Sequence, residues 1–475
     1  MIGKNKIIKG GFFLTIVNVL SQISAIIVNI ILARLLVPKD FGLVALTTTF
    51  MGFIILFTNM GLGASIIHKR DSTQKQLSSL YWLNISLSLL TFITIQLTAT
   101  FAAKFYNQEE LINLIRVASL NILIFPIFIV HYKIFERDLE FKTISKINLS
   151  GTLLGSIAAI IAAIVGFGVY ALLCQPLISS FVRLVLVLVT TKWTPSFYFS
   201  FKEIKSMVWY SLKFKGSTTA LYFERNIDYL ILGKLFTSTI LGYYAFAYNI
   251  MYTPVKRISS VFSDVLFPTF SSFQNNKQKI LTGYFKSVTL IAMISIPGMA
   301  LLAFNADLII QTIFGHKWVG AIPIVKILCF AGAVQSISQF GGVIFSSIGK
   351  PEITFYISTG RTILTVLAIV VGVQYSVLWV AYMLVIAKAI SFVFFLSVLN
   401  YYIPFSIGQL YNSLKGPLVS LTILSVVYVL YHYKYYNVHS LTLLATMLII
   451  ILSLTYLFHK KIIGDIINVL KEKTQ

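Results

Sequence analysis

Eight basic residues, Arg116, Arg183, Arg225, Lys256, Arg257, Lys326, Arg361 and Lys388, lie inside stretches that are otherwise apolar. An Arg or Lys at the centre of a bilayer costs about 2.5–3.5 kcal/mol on insertion scales. Eight facing lipid would therefore cost on the order of 20–28 kcal/mol, more than the ~5–15 kcal/mol that keep a typical protein folded. Most of them must face protein, water or a headgroup layer. A cationic cavity inside the membrane meets that requirement and suits an anionic substrate, because Arg pairs phosphate oxygens through two parallel hydrogen bonds. Arg183, Arg225, Arg361 and Lys388 sit near the middle of their stretches, whereas Arg116 and Lys326 lie within a turn or two of an end and can snorkel. Lys256 and Arg257 follow Pro254. Adjacent helical residues point about 100° apart, so at most one of that pair faces the centre of a cavity.

Glu224, Arg225 and Asp228 form the one dense acid–base cluster within an apolar stretch, with Glu224 and Asp228 on one helical face at i, i+4. Two readings stay open. The carboxylates form a Na⁺ or H⁺ coupling site, changing charge or ligation during a cycle, or they neutralise Arg225 in a structural ion-pair cluster. The six His residues fall at loops or helix ends with no metal-binding spacing, and Cys174 and Cys329 lie in apolar segments where packing is the plain role. No Walker A motif is present, so no nucleotide cofactor is expected.

The elements that position these residues follow from composition. Of 475 residues 57% are hydrophobic and 11% charged, and the mean hydropathy is +0.86, against about 25% charged in a soluble domain. A spanning helix takes about 20 apolar residues. Apolar runs near 12–33, 41–66, 80–102, 113–132, 147–166, 169–190, 214–235, 241–264, 284–304, 321–346, 353–373, 376–399, 414–431 and 440–458 predict an all-α integral membrane protein of about 14 transmembrane helices. The first run follows Lys4, Lys6 and Lys9 as a signal peptide would, but it is too long and no small-residue cleavage site follows, so it reads as a retained span.

The net charge of +23, from 38 Lys and Arg against 15 Asp and Glu, would suggest nucleic acid in a soluble chain. Here it alternates with the loops. With the N-terminus inside, the inner segments hold 24 basic residues and the outer ones six: Arg34, Lys39, Lys104, Lys234, Lys317 and Lys434. This asymmetry predicts both termini in the cytoplasm.

An internal repeat is visible at a spacing of 200 residues. The segment LARLLVPKDFGLVAL (32–46) aligns without gaps on LGKLFTSTILGYYAF (232–246), keeping residue type at Leu32/Leu232, Arg34/Lys234, Leu35/Leu235, Gly42/Gly242 and Ala45/Ala245. ISKINLSG (144–151) echoes ITFYISTG (353–360) at nearly the same offset. The repeat implies a parallel duplication of six helices: a lobe at 1–200, a second lobe at 201–402 related by pseudo-two-fold symmetry, and two further helices in 403–475. The motif GTLLG (151–155) fits a small-xxx-small helix contact.

ILARLLVPKDFGLVAL, NMGLGASIIHKRD, LSSLYWLN, RNIDYLILGKLFTSTILGYYAFAYNI, VLFPTFSSFQ and IFGHKWVGAIPIVKIL, in this order, resemble the polysaccharide transporter branch of the multidrug/oligosaccharidyl-lipid/polysaccharide flippase superfamily. The resemblance covers most of residues 1–400. It departs at Asn59, where similar sequences often carry an acidic residue. It implies two six-helix lobes in a V around a cationic cavity open alternately to each side. It also implies transport of undecaprenyl-diphosphate-linked oligosaccharide units for O-antigen, capsule or exopolysaccharide across the bacterial cytoplasmic membrane. Substrate contacts are then expected from Arg183, Arg225, Lys256, Arg257, Arg361 and Lys388, ion coupling from Glu224 and Asp228, and partners among the polymerase and chain-length regulator. Competing expectations are a lipid II flippase or cation-coupled drug antiporter of the same fold, and a membrane glycosyltransferase or polymerase. Against an enzyme stands the longest outer loop, 304–320, whose titratable residues are Asp307, His316 and Lys317.

Overall fold

The computed structural model describes residues 4–58, 65–66, 71–272, 276–338, 341–434, 442–451 and 453. Among them there is no strand, as a chain in hydrocarbon requires when each backbone group must be satisfied within its own segment. The chain folds as two compact units, Met1–Ala245 and Phe246–Gln475.

The first unit holds α1 (Lys4–Leu35), α2 (Pro38–Thr58), α3 (Gln74–Tyr106), α4 (Leu111–Arg137), α5 (Phe141–Ile164), α6 (Tyr170–Thr190), α7 (Phe201–Leu235) and the first residues of α8 (Ser238–Ser272). The second holds the rest of α8, α9 (Lys277–Phe304), α10 (Ile322–Ser338), α11 (Gly341–Ser347), α12 (Pro351–Val373), α13 (Val377–Tyr402), α14 (Ile407–Lys434) and a shorter apolar helix, Thr442–Ile451. The lobe boundaries expected from the repeat fall on the start of α7 and the end of α13. Packing divides the chain later, because α7 lies against α2 and α3.

Eleven of the described helices are long and apolar enough to cross a membrane, with His316–Ser347 forming one span through α10 and α11. The count of fourteen is not reached by that measure. α7 and α8, each 35 residues, carry Arg225, Asp228, Lys256 and Arg257 and fall outside the eleven, and Thr442–Ile451 is short. The spanning helices are apolar outside as well as inside: Leu97, Phe101, Ile164, Val189 and Leu430 are all more than half exposed. A helix apolar all round belongs in lipid.

Helix ends repeat at the expected spacing. α1 stops at Leu35 and α2 starts at Pro38; α7 stops at Leu235 and α8 starts at Ser238. The two starts are capped differently in the same place. Asp40 Oδ2 accepts the Val37 amide at 3.1 Å, behind a proline suited to the first helical position, and Thr237 Oγ1 accepts the Ile240 amide at 3.4 Å. Elsewhere Thr73 and Gln76 form a reciprocal capping box for α3, whose far end closes on Asn107 with φ 53°.

With lipid as solvent, helices associate through close packing more than through hydrophobic burial. α5 and α6 show this. Gly155 has no room for a side chain, since a Cβ there would lie 2.1 Å from Ser179 Oγ and 2.6 Å from the Gln175 carbonyl oxygen. The expected small-xxx-small contact is therefore real. In the second unit Tyr284 and Ile291 of α9 pack with Phe345 of α11 and Phe395 of α13.

A candidate intramembrane cationic site

Gly151, one turn before Gly155 on α5, leaves space for the Arg183 stem of α6. A Cβ at Gly151 would lie 2.8 Å from Arg183 Cγ and 3.0 Å from its Nε. The guanidinium donates Nη2–H to Thr152 Oγ1 at 3.3 Å. Beside it Asn148, one turn before Thr152, donates to the Tyr132 hydroxyl of α4 at 2.8 Å. The hydrogen bond that Arg183 makes is thus to a neutral hydroxyl, and among the described residues no carboxylate pairs with it. Its Nε is buried with no hydrogen-bond partner. A cation so placed is costly unless an anion completes it, which is what a binding site for phosphate or diphosphate requires.

On α7, Arg225 is exposed and Asp228 buried. Asp228 Oδ2 accepts from the Tyr244 hydroxyl of α8 at 2.8 Å, and its Oδ1 from the Tyr229 amide at 3.0 Å. The rings of Tyr229 and Tyr244 meet edge to face at 5.9 Å. Glu224 lies on α7, and its side chain is outside the described residues. The same holds for the structure at Asn59.

The remaining basic residues belong to the second unit, apart from Arg116, which is exposed on α4. Lys256 and Arg257 are both exposed on α8, Arg361 is half-buried on α12, and Lys388 is buried on α13. α12 and α13 pack on each other, and α13 also packs on α10. Lys326, expected to snorkel from a helix end, forms an ion pair with Asp307 at 2.5 Å. Tyr132, Asn148, Thr152 and Tyr244 are partners that sequence reasoning missed. Asn148 and Thr152 carried a signal, two polar residues at i, i+4 in an apolar helix.

Residues 31–323 match a family described as polysaccharide biosynthesis protein. The teichuronic acid biosynthesis protein TuaB of Bacillus subtilis is 29% identical over 77% of this chain and 76% of its own length. The lipopolysaccharide biosynthesis protein WzxC of Escherichia coli is 24% identical over 78% and 76%. Among solved structures, the lipid II flippase MurJ in an inward closed conformation superposes with a TM-score of 0.77 at 13% identity, covering 95% of this chain and all of that one. An inward-facing multidrug transporter of the MATE family gives 0.59 at 16% identity, over 80% and 95%. The fold is shared with these two structures, and the chain is a multi-pass membrane protein.

Proposed function

Because this chain belongs to the polysaccharide biosynthesis protein family, we propose that it flips undecaprenyl-diphosphate-linked oligosaccharide repeat units across the bacterial cytoplasmic membrane. The observation that carries the reading is Arg183, a cation whose Nη2 bonds a neutral hydroxyl, Thr152 Oγ1, and whose Nε is buried without a hydrogen-bond partner. The diphosphate supplies the missing anion. Arg225, Lys256, Arg257, Arg361 and Lys388 are the further contacts, used in turn as the two halves rock and expose the substrate first inside and then outside. The prenyl tail stays in the bilayer and the sugars cross in water, so the protein bears only the charge and the polar head. Both termini lie in the cytoplasm, by the excess of basic residues in the inner loops.

Asp228 supplies coupling in this scheme. Protonation or Na⁺ binding removes its charge, loosens the bond from Tyr244 and changes the packing of α7 on α8. Glu224 is the second carboxylate. The protein acts as a carrier and leaves the glycosidic bonds to other proteins of the pathway, with the polymerase and chain-length regulator as its partners.

The fold would also serve a lipid II flippase or a drug antiporter. The relatives named for teichuronic acid and lipopolysaccharide biosynthesis weigh toward polymer precursors. Deletion in the native host tests the proposal. Surface polysaccharide should be lost while the lipid-linked repeat unit accumulates on the cytoplasmic leaflet, and both should recover when the chain is restored. Normal surface polysaccharide in the deletion strain would refute it.

A further inference from the structure

A cavity of about 470 Å³ lies within the first unit between α2, α3 and α7. Its walls are apolar: Phe50 and Phe53 of α2, Phe101 and Phe105 of α3, Leu230 and Ile231 of α7. One charged residue closes it, Lys234, in the last turn of α7. Lys234 Nζ sits 4.9 Å over the Phe105 ring and donates one hydrogen bond to the Phe105 carbonyl oxygen. An ammonium carries three donors, so the interaction orients this cation without exhausting it.

The level of the cavity follows from its neighbours. Gly233 faces Leu46, so the lysine end lies near Leu46, and Phe53 lies seven residues further along α2. That is roughly 10 Å at 1.5 Å per residue. Lys234 belongs to the outer loops by the charge asymmetry, so the cavity runs from the outer headgroup layer inward along the membrane normal, as a lipid chain lies. Its length and apolar walls suit a hydrocarbon chain of a lipid whose headgroup lies at Lys234.

We infer that this cavity seats one acyl chain of an anionic phospholipid of the outer leaflet, with Lys234 facing the phosphate. The bound lipid fills the gap between α2, α3 and α7 and fixes the level of α7 in the membrane. This seat is independent of what the protein carries.

Native mass spectrometry of the full chain in detergent tests it, by titration with phosphatidylglycerol and with phosphatidylcholine of the same acyl chains. One phosphatidylglycerol should bind per chain, about fivefold more tightly than phosphatidylcholine, the factor one lysine contributes beside an anionic headgroup. Lys234→Gln should remove that preference and Lys234→Arg should keep it. Ile231→Trp, which fills the cavity, should abolish binding of both lipids. The inference is overturned if Lys234→Gln leaves the preference unchanged, if Ile231→Trp leaves binding unchanged, or if undecaprenyl phosphate displaces phosphatidylglycerol at a lower concentration than phosphatidylglycerol itself requires. The last result would assign the cavity to the carried lipid.

Discussion

Gly42 of α2 and Gly242 of α8 press reciprocally on each other's helix starts. A Cβ on Gly42 would lie 1.8 Å from the Ser238 carbonyl oxygen, and a Cβ on Gly242 would lie 1.9 Å from the Pro38 carbonyl oxygen. Ser238 and Pro38 are themselves 200 residues apart, as the two glycines are. A contact in which i meets j and the counterpart of j meets the counterpart of i is the signature of a two-fold axis. Here the axis passes between two copies of one helix–turn–helix in a single chain. Two backbones approach this closely only where neither residue has a side chain.

Replacing either glycine by Ala forces backbone against backbone, and no flexible side chain can give way. Gly42→Ala and Gly242→Ala should each cost about 1–3 kcal/mol or more, read as a lowered Tm of the detergent-solubilised chain. Gly298→Ala is the control. A Cβ there meets nothing within 4 Å, so its effect should stay within about 1 kcal/mol of the parent.

Arg183 and Thr152 separate a binding role from a packing role. A charge-assisted hydrogen bond to a phosphate is worth about 1.5–3 kcal/mol, so Arg183→Ala should lower the transport rate about 10- to 100-fold while leaving the amount of inserted protein unchanged. Thr152→Val removes only the neutral bond that aims the guanidinium and should cost a few-fold. Surface polysaccharide output, normalised to membrane-inserted protein, measures both.

Asp228 and Tyr244 test coupling. Asp228→Asn keeps the size and the bond from Tyr244 but removes the titrating charge. Transport in proteoliposomes should then no longer respond to an imposed H⁺ or Na⁺ gradient. Tyr244→Phe leaves the carboxylate in place with one bond fewer and should weaken the response about tenfold. A full response in Asp228→Asn would remove this residue from the coupling site.

The Lys326–Asp307 pair should be dispensable. Both side chains are substantially exposed, and exposed pairs contribute about 0–1 kcal/mol. Asp307→Asn should leave both Tm and transport close to the parent values.

Much of this architecture could be read before the structure, and the reasons are physical. Gly42/Gly242 and Leu35/Leu235 stood out as residue types kept across the repeat, and in the structure the glycines meet backbone to backbone and both leucines end a helix. Gly151 and Gly155 were legible as packing residues from their small-xxx-small spacing. The surroundings of Arg183 were not. Tyr132, Asn148 and Thr152 come from two other helices, and a linear pattern does not encode which faces of α4, α5 and α6 meet. Asp228 was legible as a buried acid, but its bond to Tyr244 depends on how α7 lies against α8. Lys326 was legible as a cation near a helix end, but its ion pair with Asp307 of the short helix Ala306–Ile309 joins two segments that share no helical spacing.

Flipping in proteoliposomes tests the central claim most directly. The purified full chain is reconstituted with a fluorescent undecaprenyl-diphosphate oligosaccharide in the inner leaflet, and a membrane-impermeant quencher reports the fraction that reaches the outside. The account predicts rapid exposure by the parent chain and a loss of at least tenfold in Arg183→Ala at equal protein. Exposure at the protein-free rate by the parent chain, or at the parent rate by Arg183→Ala, would contradict it.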